Sequence, residues 1–322
     1  MGFIDKALEK AKAEKQKTQG SQETAVPSPP PRTPLGMPPP LTGAEIPAGG
    51  IRYSVTRTVP VREEELRRQR VITEHNANLV REEYKILRTQ ILQRTQAEQK
   101  NTLMITGPLP NEGKTLTAIN LAISLSHEVD KTVLLVDADL RFPSVHKYFG
   151  LPPGPGLVDY LAGEASLANL LVHPEGMDKL VILPGGKAVA DAAELIGSPM
   201  MANLVRELKH FHPDRYVLFD LPPVLSYADP LAFAPFVDGI ILVVAMGTTH
   251  REDIQKCVEL FKNFPVLGLV LNKVDNRDQA TTTITRIKPT RDRRGKKDSW
   301  VGLNPDVRAF FRTNRASFQP SP

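Results

Sequence analysis

The fold of this chain is announced by Thr102-Leu103-Met104-Ile105-Thr106-Gly107-Pro108-Leu109-Pro110-Asn111-Glu112-Gly113-Lys114-Thr115-Leu116. The first five residues carry no charge and read as a buried strand. Leu116, Ile119, Ala122, Ile123 and Ser126 then recur on one side of a helix expected from Lys114 to His127. A glycine turn between a buried strand and a helix is a phosphate cradle. Its backbone N–H groups point inward, the helix end adds partial positive charge, and a lysine reaches the terminal phosphates. The Thr115 hydroxyl stands where a magnesium ligand is needed. Residues Gly107 to Leu116 are therefore expected to hold ATP with Mg2+. The opening departs from the commonest pattern: the first glycine would fall at Pro108, Gly107 comes one residue early, and Pro110 stiffens the turn. A chance glycine turn is the bland alternative, and the flanking apolar strand and amphipathic helix argue against it.

Outward from the loop, short apolar runs alternate with helical patterns. Further strands are expected at Thr132–Val136, Leu180–Leu183, Tyr216–Phe219, Gly239–Ala245 and Val266–Leu271, and helices at 79–92, 199–210, 230–236 and 251–263. Wholly apolar strands between helices predict a doubly wound α/β fold, with a mostly parallel sheet covered by helices on both faces.

Two more of these strands end in carboxylates. One runs Val133-Leu134-Leu135-Val136-Asp137-Ala138-Asp139-Leu140-Arg141, the other Val217-Leu218-Phe219-Asp220-Leu221-Pro222-Pro223. Ligands of doubly wound sheets collect at the carboxyl ends of the strands. Asp137, Asp139 and Asp220 thus converge with Lys114 on one magnesium–phosphate centre. Asp220 suits a direct or outer magnesium ligand. Asp137 and Asp139 suit holding water on the metal or taking a proton from an incoming hydroxyl. A single such aspartate is often only a helix N-cap or a turn residue, and Arg141 reads as a partner for a carboxylate.

The 322 residues, 41% hydrophobic and 24% charged, suit one large α/β domain with appendages. The longest strongly apolar run, Ile240 to Met246, is far short of the roughly 20 residues of a membrane span. The lone cysteine, Cys257, cannot close an intramolecular disulfide. Residues 1–19 read as an amphipathic helix, with Phe3, Ile4, Ala7, Leu8 and Ala11 on one face, suited to a protein partner or an anionic membrane surface. Residues 20–60 form a linker with ten prolines from Pro27 to Pro60. The folded domain is expected at 61–275 and a flexible basic tail at 276–322. From Asn276 onward there are 11 Lys or Arg and 4 Asp or Glu, so the tail holds +7 of a whole-chain net charge of +5. With few aromatic residues beside those charges, nucleic acid is not an expected partner.

These motifs together resemble the bacterial tyrosine kinase (BY-kinase) family, within the MinD/ParA-like deviant P-loop ATPases. Beyond the loop, Asp137 to Arg141 with Pro143, His146 and Phe149 looks like the family's second Walker motif. Leu183-Pro184-Gly185-Gly186 followed by Ala193-Glu194-Leu195-Ile196 is similar to a family segment. Asp220-Leu221-Pro222-Pro223-Val224-Leu225 with Asp229 looks like its Walker B strand end, and Val270-Leu271-Asn272-Lys273-Val274 like its adenine-facing strand end. The resemblance implies an ATP- and Mg2+-dependent tyrosine kinase acting in exopolysaccharide synthesis or export. Lys114 and Thr115 would then hold phosphate and metal, Asp137 would be the base, Asp139 and Asp220 would serve magnesium, and Asn272 would face adenine. It also implies a cytoplasmic chain at the inner face of the cell membrane, partnered by a membrane chain-length regulator, and a homo-oligomer formed through a Glu-x-x-Arg-x-x-Arg helix. The matching positions here are Glu82, Lys85 and Arg88, with lysine replacing the first arginine. Family kinases end in a tyrosine cluster, whereas none of the 6 tyrosines here follows Asp275. A MinD/ParA-like ATPase switch without kinase activity is accordingly the second expectation.

Overall fold

The computed structural model describes residues 56–73, 78–211, 214–273 and 284–285. Their strands are β1 (Arg57–Val59), β2 (Thr102–Thr106), β3 (Thr132–Asp137), β4 (Val172–Pro174), β5 (Leu180–Leu183), β6 (Arg215–Asp220), β7 (Gly239–Ala245), β8 (Val266–Asn272) and β9 (Ile284–Thr285). They form one sheet in the order β1-β4-β5-β3-β6-β2-β7-β8-β9. The six central strands, β5 to β8 in that order, are mutually parallel. The flanks reverse: β4 runs antiparallel to β5, and β9 antiparallel to β8. The helices are α1 (Glu63–Arg68), α2 (Asn78–Thr95), α3 (Lys114–Ser126), α4 (Val145–Tyr148), α5 (Leu157–Leu161), α6 (Leu167–Leu170), α7 (Ala192–Ile196), α8 (Pro199–Phe211), α9 (Asp229–Phe233) and α10 (Arg251–Leu260).

Strand alternation explains why the middles of the central strands are apolar. Side chains two apart on a strand share a face. In β3, Val133 and Leu135 enter one core with Leu87 and Ile91 of α2 and Ile119 and Ile123 of α3. Leu134 and Val136 enter the opposite core with Leu204, Val205 and Leu208 of α8 and with Phe233 and Phe261. β6 divides likewise, Tyr216 and Leu218 to the first core, Val217 and Phe219 to the second. Both faces are covered, as the doubly wound expectation requires, so neither face has room for the polar half of an alternating strand.

Two short strands fall where the sequence reading placed irregular chain. β1 lies in the segment assigned to the linker and pairs in parallel with β4, and Glu175 N–H donates to the Val59 carbonyl at 2.9 Å. The folded unit therefore begins by Arg57 rather than at residue 61. Three residues before a proline offer no periodicity to read, and the partner strand is more than a hundred residues away in the chain. β9 lies in the segment assigned to the tail and pairs through Thr285 and Ile284 with Leu269 and Val270. The expected N-terminal helix, most of the linker and nearly all of the basic tail lie outside the described residues.

Candidate active site

The carboxyl ends of β2, β3 and β6 meet in one plane. Ile105 is the register partner of Asp220, and Asp220 that of Asp137. The expected loop leaves β2 at this edge. Val224 N–H donates to the Gly107 carbonyl at 2.9 Å, and Leu225 N–H to that of Pro108 at 3.2 Å, so the segment after β6 anchors the loop opening. The early glycine has a steric reason: an ideal Cβ on Gly107 would lie 2.2 Å from the Val243 carbonyl oxygen and 2.6 Å from Glu112 Oε2. Asn111 (φ 61°) and Gly113 (φ 89°) adopt left-handed backbone to close the turn. A Cβ on Gly113 would also fall 2.1 Å from Asn272 Nδ2.

Helix α3 starts at Lys114 with Gly113 as its N-cap, so no side chain covers its first N–H groups, and its first turn has no acidic residue. The positive end of the helix is left for an anion. Lys114 is 7% exposed, and its Nζ donates to the Leu109 carbonyl at 2.5 Å. Burial lowers its pKa, while Glu112, Asp220 and Asp139 raise it.

Glu112 is buried within the loop. Its Oε2 accepts Leu109 N–H at 2.8 Å, its Oε1 accepts the Thr249 hydroxyl at 2.7 Å, and its carbonyl accepts Asn272 Nδ2 at 2.9 Å. Thr249 Oγ1 in turn accepts Ala245 N–H at 2.9 Å. Glu112 thus fastens the loop to the ends of β7 and β8. Burial raises its pKa against the pull of the Thr249, Leu109 and Lys114 contacts. Residue spacing gave no sign of Thr249; what could have found it is its place just beyond the end of β7, the strand beside β2.

The three aspartates differ sharply. Asp137 is fully buried. Its Oδ2 accepts the N–H groups of Ser144 and Val145, both at 2.9 Å, and so caps the short helix α4. Its Oδ1 has no hydrogen-bond partner among the described residues. Desolvation pushes its pKa up to about 7, with a further push from Asp139. Asp139 is half-buried, and its Oδ1 accepts Phe142 N–H at 3.0 Å. Burial raises its pKa too. Asp220 is 1% exposed with both oxygens unpartnered; the Thr115 hydroxyl lies against it without meeting hydrogen-bond geometry. Burial, then the Asp137 charge, drives its pKa well up. Buried polar atoms almost always find partners, and the exceptions mark sites that take one from outside. The cradle closed to any Cβ, the buried lysine and the three orphaned carboxylate oxygens fit a nucleotide phosphate with a divalent cation.

Arg141 meets the carboxylate expected of it. Its Nε lies 3.1 Å from each oxygen of Asp229, which is fully buried, and its Nη1 donates to the Ala190 carbonyl at 2.5 Å. On α2, Glu82 and Lys85 pair with each other at 2.7 Å on the surface. Arg88 turns inward: its Nε pairs with Glu128 at 2.7 Å and its Nη1 donates to the Ser124 carbonyl at 2.8 Å, at the end of α3. Among the described residues no helix is long and apolar enough to cross a membrane.

Residues 103–297 match the CobQ/CobB/MinD/ParA nucleotide binding domain family. Over 193 residues the chain is 35% identical to the tyrosine-protein kinase YwqD of Bacillus subtilis, a match covering 59% of this chain and 80% of that one. It is 38% identical over 183 residues to the succinoglycan biosynthesis transport protein ExoP of Rhizobium meliloti, but spans only 23% of that longer protein. Among solved structures, the kinase domain of the Escherichia coli tyrosine kinase Etk superimposes with a TM-score of 0.58 at 27% identity, covering 75% of this chain and 98% of that one.

Proposed function

The chain belongs to the CobQ/CobB/MinD/ParA nucleotide binding domain family and, within it, to the bacterial tyrosine kinases, and on that premise we propose that it transfers the γ-phosphate of ATP to a protein tyrosine in exopolysaccharide synthesis or export. Asp137 carries the reading. A phenol titrates near 10, and a base whose own pKa is about 7 is half-ionised at neutral pH and strong enough to accept its proton as the new bond forms. The free Oδ1 is the accepting atom, while Oδ2 stays committed to α4 and fixes the carboxylate's direction.

The phenol oxygen attacks the γ-phosphorus, its proton passes to Asp137 Oδ1, and the bond to the β,γ-bridging oxygen breaks to release ADP. Lys114 and the first N–H groups of α3 stabilise the phosphate charge, and Gly107 and Gly113 let the loop close against Val243, Glu112 and Asn272. Thr115, Asp139 and Asp220 are the residues that would hold Mg2+, which supplies charge neutralisation across the phosphates when bound. Asn272 would border the adenine. Around this centre, the reading includes a membrane chain-length regulator as activating partner, a place at the inner face of the membrane, and self-association through the Glu82, Lys85 and Arg88 helix. The naming of ExoP as a succinoglycan biosynthesis transport protein supports the link to export, while the regulator and the self-association rest on the family resemblance.

The test is incubation of the full chain with γ-labelled ATP and magnesium, alone and with a co-expressed regulator. Phosphotyrosine on the chain or on that partner, lost in Lys114→Met, is the expected result. Phosphate released only as inorganic phosphate under every condition would instead assign an ATPase switch.

A further inference from the structure

Phe142 presents a contradiction in its own loop. It follows the half-buried Asp139 by three residues, and its N–H is tied to that carboxylate at 3.0 Å, yet the residue is 62% exposed. A large ring held rigidly in water beside a reaction centre gains nothing for the fold, because apolar area left in solvent does not stabilise it.

The ring is also not alone. Its centroid lies 6.0 Å from that of Tyr227, the planes inclined at 55°. Tyr227 is in turn fixed from beneath, where the Arg141 guanidinium lies 4.9 Å from its ring centroid. Arg141 is held by the fully buried Asp229 and by the Ala190 carbonyl. A buried carboxylate thus orders an arginine, the arginine orders one ring, and that ring orders a second at the surface. The two loops that supply these rings also supply Asp139 and follow Asp220. Rings pack against rings in inclined or offset arrangements, which favours an aromatic visitor over an aliphatic one.

We propose that Phe142 and Tyr227 form the platform that receives the phenol ring of an acceptor tyrosine. The kinase reading above supplies the identity of this visitor, but the platform is tested by binding and so can fail separately.

The full chain, saturated with ADP and magnesium, is titrated with a fluorescent peptide bearing a central tyrosine. Expected are measurable binding by wild type, about tenfold weaker binding by Phe142→Ala, and binding within about threefold of wild type for Phe142→Trp. Replacing the peptide's tyrosine with alanine should cost the wild type a similar factor. Thermal stabilisation by ADP in each variant checks that it is folded. Equal binding by wild type and Phe142→Ala, indifference to the peptide's ring, or no binding by wild type would each overturn the platform. A peptide that binds as expected but never becomes phosphorylated would uphold the platform and overturn the kinase reading.

Discussion

Asp137 and Asp220 stand directly opposite each other as register partners at the carboxyl ends of adjacent parallel strands, both sealed from water. Two buried carboxylates so placed repel when ionised, and three of their four oxygens have no partner among the described residues. The fold tolerates this at a cost, and the cost should be measurable.

Asp220→Asn should therefore stabilise the protein in the absence of nucleotide, by about 1–3 kcal/mol at pH 8, while abolishing phosphoryl transfer. Because the folded-state pKa is raised, the folded protein holds this proton more tightly than the unfolded chain. Stability is accordingly lost as pH rises above the unfolded value of 3.8. The variant lacks this penalty, so its advantage in thermal unfolding should widen from pH 5 to pH 8. A constant advantage would contradict the assignment.

For Asp137, transfer should increase with pH through about 7 and level off above it, since the protonated carboxyl cannot accept the phenol proton. In Asp137→Asn the amide oxygen can still cap α4, so the expected result is a 10²- to 10⁴-fold loss in kcat with nucleotide affinity nearly intact. A parallel loss of ADP binding would show that Asp137 serves the loop's structure instead.

Gly113→Ala puts a methyl group where Asn272 Nδ2 already sits and forces a non-glycine residue to a φ of +89°. Strain of about 1–3 kcal/mol is expected. Calorimetric titration should find ADP binding reduced beyond detection.

The contact between Thr249 and Glu112 should be worth more to nucleotide binding than its distance from the phosphates suggests. Thr249→Val keeps the shape but leaves Glu112 Oε1 without its donor, a penalty of about 1–3 kcal/mol for a buried acceptor. ADP affinity should fall about tenfold, and Thr249→Ser should restore it.

Asp229→Ala strands the Arg141 guanidinium, and removing one partner of a buried pair typically costs about 3–5 kcal/mol. Arg141→Met together with Asp229→Leu should recover most of that in chemical denaturation, since the loss comes chiefly from the uncompensated charge.

Much of this site is written in local patterns. Gly113-Lys114-Thr115 and the strand-ending Asp137 and Asp220 are legible because their chemistry requires a particular neighbour in sequence. The six central strands are legible because burial on both faces leaves their middles apolar and confines charged residues to their ends. Long-range contacts leave no such trace. The pairing of the Arg57–Val59 strand with Val172–Pro174 and the path from Glu112 to Thr249 both join residues far apart in the chain. Phe142 escaped for the opposite reason: a single exposed aromatic has no pattern, and only its neighbours in space give it meaning.

The inward turn of Arg88 ties it to the C-terminal end of the helix that Lys114 begins. Lys114 begins α3 and Arg88 holds the Ser124 carbonyl in its last turn, about 15 Å away along the helix axis. A second molecule that recruits Arg88 must first unfasten it from Glu128 and Ser124. Assembly and nucleotide grip would then act on opposite ends of the same lever, so that each could sense the other without a shared surface.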